Sequence, residues 1–160
     1  MTTASDLYFA QVPVGEMANF AYLVGSREAR ECLLVDPAWS VDALLDQAEA
    51  DGMRIAGALV THYHQDHVGG SIFGMEIEGL ARLMARAPVP VHVNAREAEG
   101  VRKVTGLSVS DLVPHEGGDV LRLGAVRVRL LHTPGHTPGS QCFLVEEAGK
   151  AGRLVSGDTL

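Results

Sequence analysis

The stretch THYHQDHVGG, residues 61–70, gathers His62, His64 and His67 around Asp66 directly after an apolar run. Only seven histidines occur in the chain, and a solvated loop has no need of three of them within six positions. Imidazole nitrogens and carboxylate oxygens are the ligands that divalent metals such as zinc take, and a catalytic ion keeps one position open for water. In an extended loop, residues two apart point to the same side, so His62 and His64 can reach one ion together. Asp66 and His67 come after the chain turns and face a second position beside the first. Each position is short of ligands, which predicts partners elsewhere.

Two later segments offer them. HTPGHTPGS (132–140) presents His136 between two Pro-Gly elements, completing a three-histidine set with His62 and His64. SGDTL (156–160) presents Asp158, whose carboxylate has two oxygens to share and so can bridge. His132, four residues before His136, is a candidate to support a ligand by hydrogen bonding. His92 lies in a short strand and His115 in a Pro/Gly loop; both read as structural or exposed.

These residues need elements to position them. NFAYLVG (19–25) and ECLLVDP (31–37) read as strands, the second stopped by Asp36–Pro37. Ser40 is placed to cap a helix with Val41, Leu44, Leu45 and Ala48 on one face, ended by Gly52. IAGALVTH (55–62) is then a buried strand that delivers the histidine cluster at its carboxyl end. Residues 74–88 read as a helix burying Ile77, Leu80, Ala81 and Met84, residues 89–94 as a strand, and 95–104 as a weaker helix interrupted by Gly100. Val126, Val128 and Leu130 alternate with Arg127 and Arg129 in a further strand, entered through a type II′ turn at Gly124–Ala125. SQCFLVEE and GRLVSGD give two more strands, turned at AGKAG. Strand, helix, strand, with chemistry in the loop after the strand, is the α/β pattern, and 160 residues suit one domain, 1–160.

The formal charge of −7 and the scattered basic residues exclude the positive stripe that nucleic-acid binding demands. No apolar run approaches the ~18 residues that span a membrane, and no secretory leader is legible. Cys32 and Cys142 lie in separate apolar runs and read as buried thiols without a disulfide, which suits a reducing, cytoplasmic setting.

THYHQDHVGG, HTPGHTPGS and SGDTL, in that order, resemble the successive metal motifs of the metallo-β-lactamase-fold superfamily, and NFAYLV with LLVDP is similar to its amino-terminal strands. Within it the nearest resemblance is to the hydroxyacylglutathione hydrolases, thioesterases of the glyoxalase pathway, and to the persulfide dioxygenases. The resemblance implies a four-layer αββα sandwich with metals at one edge of its two sheets. It implies that His62, His64 and His136 hold one ion, that Asp66 and His67 hold another, and that Asp158 bridges. Asp36 matches a position that orders the ligands through hydrogen bonds. The family pattern continues past the aspartate of GDT with further strands and a last histidine ligand, whereas this sequence stops two residues after Asp158. The expectation is therefore a carboxyl-terminally incomplete fold, uneven filling of the two metal positions, and self-association.

The reaction expected is hydrolysis of a thioester or related ester of a small-molecule substrate through a metal-bound hydroxide, with two zinc ions and with Asp66 orienting the attacking water. Two alternatives belong to other classes. One is an oxygenase with a single iron on His62, His136 and Asp158; the other is a metal-binding fragment without turnover.

Overall fold

The computed structural model describes residues 4–160. Its first sheet has six strands: β1 (Leu7–Val14), β2 (Asn19–Ser26), β3 (Glu31–Val35), β4 (Arg54–Leu59), β7 (Val91–Asn94) and β8 (Leu112–His115), in that spatial order. The second has four: β9 (Val120–Leu123), β10 (Val126–His132), β11 (Gln141–Glu147) and β12 (Arg153–Val155). A small hairpin, β5 (Gly70–Ile72) and β6 (Met75–Ile77), stands apart. The helices are α1 (Val41–Ala50), the single turn α2 (Gln65–Val68), α3 (Leu80–Arg86) and α4 (Ala98–Thr105).

Two apolar clusters bind these layers. Leu23, Leu34, Ala58, Val60, Val91 and Val93 face one way and bury Leu44 of α1, Leu80 and Leu83 of α3 and Val101 of α4. Val24, Leu33, Val35 and Leu59 face the other way, onto Val126, Val128, Leu130, Phe143 and Val145 of the second sheet. Alternate residues of one strand thus serve opposite faces. Among the described residues, this second cluster includes no helical side chain, so the layers are helix, sheet, sheet. No helix among them is long and apolar enough to cross a membrane.

Strands β3, β4, β7 and β8 run parallel, each paired with the next. Loops beyond the carboxyl ends of such strands are where α/β proteins place their chemistry. Asp36 follows β3 and the histidine cluster follows β4, so the topology brings them side by side.

Several elements differ from the sequence reading. The chain at 74–88 is two elements: Met75–Ile77 pairs with Gly70–Ile72, and the helix begins only at Leu80. Glu78 lies between them because its carbonyl accepts the Trp39 N–H at 2.8 Å and its Oε1 accepts the Val41 N–H at 2.6 Å. That carboxylate, and not the Ser40 hydroxyl, satisfies the first turn of α1. The strand expected at 55–62 ends at Leu59, and Gly100 sits inside α4 without interrupting it.

Two strands absent from the sequence reading, β1 and β8, each carry a proline, Pro13 and Pro114. Both are edge strands, where a residue without an N–H is tolerated. The tight turn between β9 and β10 has Gly124 at φ +53°, the positive value that a type II′ turn requires at its first central position. Cys32 and Cys142 are buried free thiols.

Candidate metal centre

The two-residue step from His62 to His64 and the returning loop after β10 bring three rings together. The centroids of His62, His64 and His136 lie 4.8 Å apart in each pair. One nitrogen from each of the three falls within 4.8 Å of the others, a spacing that one ion can span. Ligand atoms of Asp66, His67 and Asp158 form a second set with the same limit. Asp158 lies between the two sets. Its Oδ2 is 3.3 Å from His136 Nε2 and 3.6 Å from His62 Nε2, while its Oδ1 is 3.2 Å from His67 Nε2.

Asp36 organises the ring orientations from beneath. Held in the left-handed region at φ +48°, it accepts the Thr61 N–H at 2.8 Å, the Thr61 hydroxyl at 2.6 Å and His67 Nδ1–H at 2.8 Å. The single Thr61 hydroxyl proton is given to Asp36, so Thr61 Oγ1 accepts from His62 Nδ1–H at 2.9 Å. This network assigns the tautomers. The Nε2 of His62 is then left as a lone pair facing the site, and that of His67 is turned toward it. His62 Nε2 is buried and has no hydrogen-bond partner. An unsatisfied buried nitrogen costs about 1–3 kcal/mol, a cost that a metal bond removes. The donor set fits a divalent ion on this ground.

The electrostatics divide the rings. Burial drives the His62 pKa down to about 4, with His67 and His64 adding to the effect and Asp36 and Asp158 opposing it. His64 is lowered as well, by burial and by His136. Burial also works against charge on His67, yet its bond to Asp36 and the charges of Asp36, Asp66 and Asp158 together push it up to about 9. In the metal-free protein His67, tied to carboxylates, therefore holds a proton that a bound ion would displace, whereas His62 and His64 favour the neutral ring.

His132 lies outside both sets. Its Nε2–H donates to the Pro138 carbonyl at 3.0 Å and closes the loop that carries His136. His92 and His115 lie elsewhere and bond to each other at 2.8 Å. Sequence reasoning missed Asn19, whose side-chain N–H group donates to the Asp66 carbonyl and to Asp66 Oδ2, both at 3.0 Å. It also missed Trp39, whose indole N–H reaches the same carbonyl at 3.0 Å. Asparagine and tryptophan carry no metal signal, and only the fold puts them there.

A cavity of about 140 Å³ opens on Asp66, His67 and Asp158, rimmed by Met17, Phe20 and Tyr22. A larger one, about 590 Å³, is lined by Trp39, Gly69, Glu76 and Arg82 and by no histidine. The smaller cavity is the one that touches candidate ligands.

Residues 14–160 match the model of the metallo-beta-lactamase superfamily. The chain belongs to that superfamily. It is 33% identical over 142 residues to a hydroxyacylglutathione hydrolase of Hahella chejuensis, covering 89% of this chain and 47% of the relative. A probable polyketide biosynthesis zinc-dependent hydrolase, BaeB of Bacillus velezensis, is 25% identical over 143 residues, with 89% and 56% covered. Among solved structures, ETHE1 from Myxococcus xanthus superposes with a TM-score of 0.65 at 27% identity, over 86% of this chain and 53% of that one. The chain thus spans about half the length of the curated relatives it matches.

Proposed function

We propose that the site is that of a metal-dependent hydrolase acting on a thioester or related ester of a small molecule. His62, His64 and His136 would hold one zinc ion, Asp66 and His67 a second, and Asp158 would bridge them. The observation that carries this reading is the buried, unpartnered Nε2 of His62, set among the ligand atoms of His64, His136 and Asp158. Support also comes from relatives described as hydroxyacylglutathione hydrolase and as zinc-dependent hydrolase.

Zinc bound in such a site lowers the pKa of water to near neutrality and polarises a carbonyl. The chain supplies the rest. Asp36 and Thr61 fix the His62 tautomer, so that ring presents a lone pair without rearranging, and Asp36 also orients the His67 ring. Asn19 and Trp39 hold the Asp66 backbone, and the Asp66 carboxylate is set to orient the attacking water and accept its proton. A thioester suits this arrangement because its thiolate departs without strong acid help. The reading includes a cytoplasmic setting, which the two buried free thiols support.

A second reading, a single-iron oxygenase, draws on one observation. Asp158 Oδ2 approaches both His62 and His136, which gives two imidazoles and a carboxylate around one point. Elemental analysis of protein purified without added metal, paired with thioester hydrolysis assays, decides between them. Zinc near two per chain with hydrolysis is the expected result. Iron near one per chain without hydrolysis would replace the first reading with the second.

A further inference from the structure

One buried carboxylate outside the ligand sets touches both histidine loops. Glu97 sits at the amino-terminal end of α4 and is 1% exposed. Its Oε1 accepts the Tyr63 N–H at 3.0 Å, on the residue between His62 and His64. The same oxygen accepts the Thr137 hydroxyl at 2.7 Å, on the residue after His136. Its Oε2 accepts the Gly139 N–H at 3.0 Å in that second loop. All three donors face one side chain, and carboxylates are acceptor-only when ionised, so none of its bonds competes with another for a proton.

The packing around it is equally specific. A Cβ at Gly139 would lie 2.6 Å from Glu97 Cγ, so the loop approaches the carboxylate closely only because that residue is glycine. One turn along α4, a Cβ at Gly100 would lie 2.7 Å from the Tyr63 ring. Thr137 is locked in turn, its N–H donating to Ser140 Oγ at 3.0 Å. Gln141 N–H also reaches the Thr61 carbonyl at 3.0 Å, a second tie between the two segments.

We propose that Glu97 is a positioning residue that sets the distance between the His62/His64 loop and the His136 loop, and with it the geometry of the three-histidine metal position. This rests on the metal reading above. Among the described residues Glu97 belongs to none of the groups whose ligand atoms one ion could span. Its action is on the ligands.

The test compares zinc affinity, by competition with a chromogenic chelator, and the visible spectrum of the cobalt-loaded protein. The variants are Glu97→Gln, Thr137→Val and His62→Ala in the full chain. Glutamine turns an N–H group toward one of the three donors and breaks that bond. Support behind metal ligands is worth about 10–100-fold in affinity, so Glu97→Gln should bind zinc 10–100-fold more weakly and alter the cobalt spectrum. Thr137→Val, which removes one donor only, should show a smaller change in the same direction. A merely structural role would lower the melting temperature of the metal-free protein and leave zinc affinity and the cobalt spectrum as in wild type. That result in folded Glu97→Gln overturns the proposal; if Glu97→Gln does not fold, wild-type values in Thr137→Val overturn it. The metal reading fails separately, and takes this one with it, if wild type binds no zinc or if His62→Ala binds it as tightly as wild type.

Discussion

Two groups of histidines in this chain differ in what their nitrogens face. In the first, His62, His64, His67 and His136 bring ring nitrogens together with Asp66 and Asp158, and one of those nitrogens, His62 Nε2, has no hydrogen-bond partner. In the second, His92 Nδ1 bonds to His115 Nε2 at 2.8 Å, and His115 Nδ1 bonds to Asp119 Oδ2 at 2.8 Å. The second group is a chain of hydrogen bonds in which each member completes the next. In the first, bonds on the far sides of two rings, from His62 to Thr61 and from His67 to Asp36, turn the other nitrogens toward the site. Proximity of histidines is common to both. What separates a candidate metal centre from a structural pair is which ring nitrogen the supporting network leaves open.

The harshest way to break the contrast is to remove an open nitrogen. His62→Ala should abolish binding at the three-histidine position, with at least about 100-fold loss of zinc affinity and of hydrolysis. Equilibrium dialysis with zinc checks the first and an assay of thioester cleavage the second. Asp66→Ala should lower turnover by about 10²–10⁴-fold, the range for a general base. Its melting temperature should stay close to that of wild type, because Asp66 lies in the single turn α2 and outside both apolar clusters. Near-full activity in that variant would remove Asp66 from the mechanism.

A subtler variant leaves every candidate ligand in place. Thr61→Val keeps the shape of the side chain but ends the relay from Asp36 to His62. The His62 ring is then free to adopt the other tautomer, and zinc affinity should fall by about 10–100-fold. Unchanged affinity would mean that the tautomer is set by something other than the Thr61 hydroxyl.

Legibility in the sequence followed the same divide. The candidate ligands are rare residues at short spacing, or sit beside Pro-Gly turns and strand ends, so local pattern suffices to nominate them. The sheets are legible where alternation is strong, as at Val126, Val128 and Leu130, which all face the inter-sheet core. Pattern failed where one stripe served two elements. Ile77 and Leu80 are both buried at helical spacing, yet one ends a hairpin and the other begins a helix. Glu97 and Asn19 were beyond reach for a different reason. Glutamate and asparagine are common surface residues, and their roles depend on partners 34 to 48 positions away in the chain. His115 lay in what reads as a loop, because Pro114 hides the edge strand that sets it beside β7.

The smallest expected effect sharpens the contrast from the other side. His92→Gln should leave zinc affinity within about twofold of wild type, since His92 belongs to neither ligand set. It should instead change how the metal-free protein responds to acid. Burial, with His115 adding to it, pushes the His92 pKa from 6.5 down to about 4. A histidine depressed in the fold is protonated first in the unfolded chain, so acid favours unfolding. The stability that His92 contributes is complete above pH 6.5 and is lost progressively as the pH falls toward 4. Glutamine does not titrate, and it can still donate to His115. The stability difference between wild type and His92→Gln, from urea denaturation of the metal-free proteins, should therefore be constant above pH 6.5 and shift in favour of the variant between 6.5 and 4. A difference that stays constant down to pH 4 would show that His92 has an ordinary pKa, and a tenfold loss of zinc affinity in the same variant would join the two histidine groups into one.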